Sequence, residues 1–232
     1  MNRRNIEVIK MRKADSSTKW DRILHKKEYS QEKPDEVVLD FISFLKKRKR
    51  KLRVLDLGCG AGRHQVYLAK LGIEAYGADI SWTGLKLTKD RLEKEALSVY
   101  LVKCDMKLLP YVDSCFDAVV CVHVIYHQEL MGMQETVSEI RRILKDEGAV
   151  LVNFLSKRTY SYGKGAETEE NTFNEQEGPE RTVLHHFTDR REIKHLFRNF
   201  EIVSLQLAER EIDGKLRSRW ILIASRKPST PG

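Results

Sequence analysis

The sequence predicts an α/β fold: a mostly parallel sheet with helices on both faces and an antiparallel hairpin at the end. Short apolar segments alternate with helical apolar stripes from residue 53 onward, which is typical of repeated strand–helix units. The segment 118–122 is apolar without alternation, as expected of a strand buried on both faces. Two alternating segments, 200–207 and 216–224, flank an Asp-Gly turn and predict the hairpin. At 232 residues and 41% hydrophobic content, the chain suits one domain with modest additions.

The other elements follow from the same patterns. Pro34 is a good first residue for a helix with an apolar face, and Ser81 is a good cap for the helix after the second strand. Thr188 or Asp189 caps the last predicted helix, which ends near Phe197. These signals give an alternating order of helices and strands over most of the chain.

The fold is organised around residues 53–79, RVLDLGCGAGRHQVYLAKLGIEAYGAD. They predict a strand, a glycine turn, a helix and a second strand that ends in Asp79. A ligand can approach the backbone closely where no Cβ intervenes, and a helix N-terminus favours anionic groups. An acid about twenty residues after the glycines is placed to bind ribose hydroxyls. The spacing therefore predicts a nucleotide-binding βαβ unit.

The spacing of the glycines limits which class of nucleotide ligand the turn can bind. The pattern is D-x-G-x-G-x-G from Asp56 to Gly62, and the third glycine comes too early for the dinucleotide fingerprint G-x-G-x-x-G. It resembles the first motif of the class I S-adenosylmethionine-dependent methyltransferases. The segment around Phe116, SCFDAVV, resembles the fourth strand of that family. The resemblance, to the small-molecule-like "type 11/25" branch, implies a Rossmann-like, doubly wound sheet of seven strands.

The same resemblance implies the cofactor and its contacts. S-adenosyl-L-methionine would bind, with S-adenosyl-L-homocysteine as product. Asp56 and the glycines would lie near its amino-acid end, Asp79 at the ribose, and Asp105 with Met106 at the adenine. The implied cofactor-binding residues are Asp56, Gly58, Cys59, Gly60, Gly62, Asp79, Ile80, Asp105, Met106 and His123.

The sequence shows no catalytic triad, and methyl transfer from a sulfonium does not need one. Orientation alone can contribute about 7–11 kcal/mol to lowering such a barrier. His123 and His127 are the candidate bases, should the acceptor have to lose a proton. As a metal site, H-x-x-x-H lacks both a glutamate and an evident third ligand. We therefore expect no metal, and histidines that line the cofactor or substrate pocket.

The organisation predicts two parts. Residues 1–50 form a basic helical segment that caps the site, with residues up to about 18 loosely docked, and residues 51–232 form the cofactor-binding domain. A polar insertion, 156–182, follows the fifth strand and is either a substrate lid or a structureless loop. The candidate substrate residues are Trp20, Tyr29, Arg158, Tyr160 and His185, for which core or surface roles are equally open.

The charge distribution limits which kinds of partner the protein is expected to have. Residues 1–53 hold 17 Lys and Arg against 8 Asp and Glu, an excess of +9, whereas the remainder holds 25 against 26. The run Lys46–Lys51 is either an RNA contact or a solvated helix end, and no aromatic residue interrupts it for base stacking. A small-molecule acceptor is therefore favoured. The alternatives are an RNA methyltransferase and a non-catalytic module that binds S-adenosylmethionine or RNA.

The remaining expectations concern location. No apolar segment approaches eighteen residues, which predicts no membrane contact, and the N-terminus lacks the apolar region of a signal peptide. None of the four cysteines forms a C-x-x-C pair, and we expect reduced thiols in a cytoplasmic protein. The oligomeric state is not predicted.

Overall fold

The structure is a computed structural model, which describes residues 14–26, 29, 31–49, 51–174 and 180–228. Its helices are α1 (Ala14–Leu24), α2 (Glu36–Arg48), α3 (Arg63–Lys70), α4 (Trp82–Lys94), α5 (Leu130–Ile143) and α6 (Arg190–Leu196). Its strands are β1 (Arg53–Leu57), β2 (Glu74–Asp79), β3 (Leu101–Lys103), β4 (Phe116–Cys121), β5 (Leu144–Ser156), β6 (Ala166–Glu169), β7 (Thr172–Asn174), β8 (Leu184–Thr188), β9 (Phe200–Ile212) and β10 (Lys215–Arg226).

Seven strands form the predicted central sheet, in the order β3-β2-β1-β4-β5-β10-β9. The first five are parallel, and β10 then pairs antiparallel with both β5 and β9. The α/β class, the doubly wound order and the terminal hairpin are therefore confirmed. The glycine turn and the ends of β2, β3 and β4 lie at one edge of this sheet, where open α/β sheets bind ligands.

The polar insertion adds strands that the sequence did not predict. β6 and β7 form a hairpin, β7 pairs antiparallel with β8, and β8 extends the sheet beside Leu155 and Ser156. The described sheet thus has ten strands rather than seven. Phe173 anchors the hairpin by packing against Phe187, with ring centroids 5.9 Å apart. A structureless insertion is therefore wrong for these residues, although 175–179 lie outside the described part.

Two apolar layers cover the sheet, one on each face. On one face α5 and α6 pack on the strands through residues such as Met133, Ile140 and Ile193, all fully buried. On the other face α2 contributes Phe41 and Ile42, which lie on one side of the helix. Helices on both faces hold the central strands rigid, and the strand ends therefore position the site.

The N-terminal segment docks on the site earlier than predicted. The helix α1 begins at Ala14, and the expectation of loose docking up to about residue 18 is wrong from Ser17 onward. The Ser17 hydroxyl donates to the Ile80 carbonyl at 3.0 Å, and the Asp21 carboxylate accepts from the Ser81 hydroxyl at 2.5 Å. These polar contacts hold α1 against the loop between β2 and α4. None of the described helices is long and apolar enough to cross a bilayer.

Candidate active site

A cavity of about 1270 Å³ lies at the carboxyl ends of the parallel strands, beneath α1. Most of the predicted residues line it, from the glycine turn to the end of β4. The lining includes Gly58, Cys59, Gly60, Asp79, Ile80, Asp105, Met106, His123 and His127, together with Trp20 and Tyr29 from the N-terminal segment.

The glycine turn opens a cradle towards this cavity. Gly60 has a φ of +51°, and a Cβ there would meet only a Leu24 methyl at 3.7 Å. Gly58 differs, because a Cβ there would lie 2.4 Å from the Val124 side chain. Gly60 therefore leaves room for a ligand, whereas Gly58 leaves room for the loop that follows β4.

Asp79 lies at the end of β2 with its carboxylate turned to the glycine turn. It accepts hydrogen bonds from the Gly60 amide and the Ser81 amide, both at 2.8 Å. Burial raises the pKa of Asp79 to about 6, although these two hydrogen bonds favour the charged form. A carboxylate at this position can accept hydrogen bonds from a ribose diol.

Asp105 and Met106 line the cavity beyond β3, and the Asp105 carboxylate accepts from the Lys107 amide at 3.0 Å. Two other predicted cofactor residues lie behind the cavity wall. Asp56 is buried near His64, and its Oδ2 has no hydrogen-bond partner among the described residues. A Cβ at Gly62 would meet Thr88, so this glycine brings α3 close to α4.

His123, at the end of β4, has all its hydrogen-bonding groups engaged. Its Nε2 lies 2.9 Å from the Asp35 carboxylate, and its Nδ1 faces the Asn153 amide and the Tyr126 hydroxyl. Burial lowers the pKa of His123 to about 4, against the raising effect of Asp35. The neutral ring therefore donates from Nε2 and accepts at Nδ1. The hydrogen bond from His123 in turn holds the pKa of Asp35 below its usual range.

His127 belongs to a second polar group, with Glu180 and His185. One ligand-capable atom from each of the three lies within 4.8 Å of the others. His185 Nε2 contacts the Glu180 carboxylate at 2.7 Å, and the Tyr29 hydroxyl donates to the other oxygen at 2.9 Å. Burial, together with the charge of nearby His185, lowers the pKa of His127 to about 3. Burial alone would raise the pKa of Glu180, but the His185 hydrogen bond and the charges of both histidines lower it to about 2.

The N-terminal segment and the insertion meet above the cavity. The Trp20 ring packs edge-on against His127, with centroids 4.9 Å apart. Tyr29 reaches Glu180, and the Lys19 ammonium donates to the Thr182 carbonyl at 3.3 Å. The two segments expected separately to cover the site therefore bind each other over it.

Three of the predicted substrate residues do not line the cavity. Arg158 forms an ion pair with Glu209 at 2.8 Å, and its side chain is 64% exposed. The Tyr160 ring lies beneath the Arg217 guanidinium, 4.4 Å from the ring centroid. His185 lies behind His127, with ring centroids 4.8 Å apart. Substrate roles for Arg158 and Tyr160 stay predictions that this geometry does not support.

Sequence reasoning missed several residues that complete the site. They come from elements far apart in the chain, and no local motif connects them. Those that line the cavity are Asp35, Arg63, Tyr126, Asn153, Glu180 and Arg219. Arg63 alone had a local signal, as a cation directly after the glycine motif at the N-terminus of α3.

Comparison with known proteins agrees with this geometry. A family model described as a methyltransferase domain matches residues 55–152. The methyltransferase GfsG of Streptomyces halstedii is 31% identical over 103 residues, which are 43% of this chain and 36% of that protein. The chain spans about half or less of the lengths of the first curated relatives that it matches.

Solved structures share the fold. An S-adenosylmethionine-dependent methyltransferase from Methanosarcina mazei has a TM-score of 0.71 at 20% identity, covering 85% of this chain and 100% of that one. The 1,6-didemethyltoxoflavin-N1-methyltransferase of Burkholderia thailandensis was solved with S-adenosylhomocysteine and didemethyltoxoflavin bound. It has a TM-score of 0.63 at 18% identity, covering 83% of this chain and 79% of that one. With the domain match at residues 55–152, this chain is similar to the methyltransferase-domain family over that part, and it has the Rossmann-like fold of the S-adenosylmethionine-dependent methyltransferases.

Proposed function

We propose that this protein transfers the sulfonium methyl group of S-adenosylmethionine to a small-molecule acceptor. The observation that carries the proposal is the pairing of Gly60 with Asp79 at the open edge of the sheet. Gly60 leaves space for a ligand, and the Asp79 carboxylate accepts from the Gly60 amide at 2.8 Å. A ribose can take up hydrogen bonds at this carboxylate while the rest of the cofactor passes over the glycine turn.

The residues present fit the cofactor along its length. Arg63 lines the cavity at the first turn of α3, where its guanidinium and the helix N-terminus favour the carboxylate of the methionyl group. Asp79 would bind the ribose. Asp105 offers an acceptor for the exocyclic amine of adenine, and Met106 an apolar cover for the ring. Asp56 would act indirectly, since it lies behind the cavity wall.

Catalysis would rest on alignment. When bound, S-adenosylmethionine supplies an electrophilic methyl group on a positively charged sulfur. The chain must hold a nucleophile in line with that methyl and exclude water, a task that α1 and the insertion would share. The electron pair of the breaking carbon–sulfur bond would return to sulfur as the acceptor formed its new bond to the methyl carbon.

Among the residues that the structure describes, none of the titratable side chains near His123 is a strong base. His123 is engaged at both nitrogens, and burial raises the pKa of Tyr126 to about 12. His127 has its pKa lowered to about 3, which makes it a weak base. An acceptor whose proton must be removed would need another means of activation, whereas an amine with a free electron pair would not.

A small molecule suits the covered cavity better than RNA. Lys49 pairs with Asp117 at 2.7 Å, which places the basic run at the amino ends of β1 and β4. The cavity lies at the opposite edge, about 16 Å away along a five-residue strand. The Burkholderia relative, named for its small-molecule acceptor, supports the same reading.

We likewise propose that residues 156–182 act as a substrate lid above the domain formed by 51–232.

The test is a transfer assay with methyl-labelled S-adenosylmethionine, run in parallel on a small-molecule cell extract and on total RNA. We expect label in the small-molecule fraction, and loss of that label in Asp79→Asn. A triple change of Lys46, Lys47 and Arg48 to glutamate is the matched control and should leave the label unchanged. Label in RNA that is lost in the triple variant would replace the small-molecule proposal with the RNA alternative.

A further inference from the structure

We propose that His127, Glu180 and His185 form a binding site for one divalent transition-metal ion, of the zinc type, on the acceptor side of the cavity. Two imidazoles and one carboxylate are the ligand set that keeps a fourth position open in catalytic zinc sites. Sequence reasoning found no third ligand for a histidine pair. The fold supplies two further ligands from the insertion and β8.

Both histidines are oriented as metal ligands usually are. The Nδ1 of His127 faces the Leu184 carbonyl at 3.3 Å, and the Nδ1 of His185 faces the Val183 carbonyl at 3.2 Å. A backbone carbonyl that accepts from Nδ1 fixes the tautomer and leaves Nε2 to bind a metal. Two successive carbonyls, of Val183 just before β8 and of Leu184 at its start, thus orient both rings.

Glu180 is held in a matching way. Its Oε2 lies 2.7 Å from His185 Nε2, while Oε1 accepts from the Tyr29 hydroxyl at 2.9 Å. A metal would take the place of the proton between His185 and Glu180, with Tyr29 still orienting the carboxylate. Ligands of one tetrahedral zinc lie about 3.3 Å apart, so the three groups need only small side-chain movements from their present spacing.

The position of these three side chains indicates what a metal bound there would do. His127 and Glu180 line the cavity, so the open coordination position would face the acceptor rather than the protein interior. A metal there would bind an acceptor hydroxyl or thiol and stabilise its ionised form, the proton passing to solvent. The oxyanion or thiolate would then attack the methyl carbon as the carbon–sulfur bond breaks. This role rests on the proposed function. A metal at this site would activate the acceptor nucleophile, which the weak bases nearby do not.

The experiment is metal titration of the full chain, freed of any affinity tag and stripped with a chelator. Zn²⁺ binding is followed by calorimetry, and Co²⁺ binding by visible absorption, since four- and five-coordinate cobalt absorbs strongly. We expect one ion per chain. We expect affinity to fall by at least about 100-fold in His127→Ala, His185→Ala and Glu180→Gln, because each removes a ligand. The matched control is His195→Ala, which removes an exposed histidine of α6 and should bind like the wild type.

The outcomes separate cleanly. Wild-type protein that binds no Zn²⁺ or Co²⁺ above background would overturn the site, as would variants that all bind as tightly as the wild type. Circular dichroism and S-adenosylhomocysteine titration of the same samples identify any variant that fails to fold. S-adenosylhomocysteine binding without metal binding overturns only the metal site, and metal binding without S-adenosylhomocysteine binding overturns only the proposed function.

Discussion

Asp79→Asn tests the cofactor site most sharply, because it keeps the shape of the side chain and removes its charge. In the free protein this carboxylate accepts two backbone hydrogen bonds, from Gly60 and Ser81. With cofactor bound it would also accept from ribose hydroxyls. A hydrogen bond to a charged group contributes about 1.5–3 kcal/mol. We therefore expect S-adenosylhomocysteine to bind more weakly by about 2–4 kcal/mol, or on the order of 30- to 1,000-fold in Kd.

The pH dependence gives a second signature. Burial raises the pKa of Asp79 to about 6 in the free protein, and ribose hydroxyls that donate to the ionised form would lower it in the complex. Affinity should then be constant above pH 7 and fall below pH 6. At pH 5 about a tenth of the carboxylate is ionised, so Kd should rise about tenfold relative to pH 7.5. Asp79→Asn should bind weakly and without this pH dependence.

The assay is calorimetric titration with S-adenosylhomocysteine at pH 5 and pH 7.5. The matched control is Glu74→Gln, which neutralises an acid at the other end of the same strand, where Glu74 pairs with Arg53. It should bind like the wild type. Because the Asn side chain keeps only one of the two acceptor oxygens, the thermal midpoint of Asp79→Asn is measured alongside, so that weak binding is not mistaken for unfolding. An Asp79→Asn protein with wild-type affinity would refute the assignment.

Three further predictions follow from other parts of the structure. Gly60→Ala should keep the fold and weaken S-adenosylhomocysteine binding. Gly58→Ala should instead lower the thermal midpoint, because its Cβ would lie 2.4 Å from the Val124 side chain. A Gly60→Ala protein that binds S-adenosylhomocysteine as tightly as the wild type would contradict the assignment of Gly60 to the ligand cradle. Asp35→Asn should lower the free energy of unfolding, measured by urea denaturation at pH 7, by about 1–3 kcal/mol, because it weakens a charged hydrogen bond to His123. An unchanged free energy would mean that this contact does not stabilise the protein. Phe197→Ala should lower the free energy of unfolding by about 3–5 kcal/mol in the same assay, because Phe197 is fully buried. Phe44→Ala, at an exposed position, is the control. A similar decrease in both variants would refute the assigned core.

The parts predicted from sequence are those fixed by local chemistry. The glycine pattern, the acid at the end of β2 and the Asp-Gly turn each depend on residues close together in the chain. With the alternation of strands and helices, they were enough to predict a mostly parallel sheet, the terminal hairpin and the cavity lining around Gly60 and Asp79, whereas the doubly wound order followed from the family resemblance. Ser81 and Asp189 cap their helices as expected, each accepting from amides in the first turn.

What could not be predicted depends on contacts between distant segments. Asp35 precedes α2, where an Asp usually caps the helix, but its carboxylate instead reaches His123, 88 positions away. Glu180 lies in a polar segment that has no periodicity to place it, yet it joins Tyr29 to His185. The strands of the insertion are short and polar, and only Phe173 gave them an apolar anchor. Partners of this kind are chosen by the tertiary fold, which local patterns do not encode.

The edge of the sheet around Gly60 and Asp79 is the site that we assign to S-adenosylmethionine. The most direct test is calorimetric titration of the wild-type chain with S-adenosylhomocysteine, and separately with NAD, at pH 7.5. We predict one S-adenosylhomocysteine site per chain and no heat of binding with NAD. Binding of NAD without binding of S-adenosylhomocysteine would contradict the account.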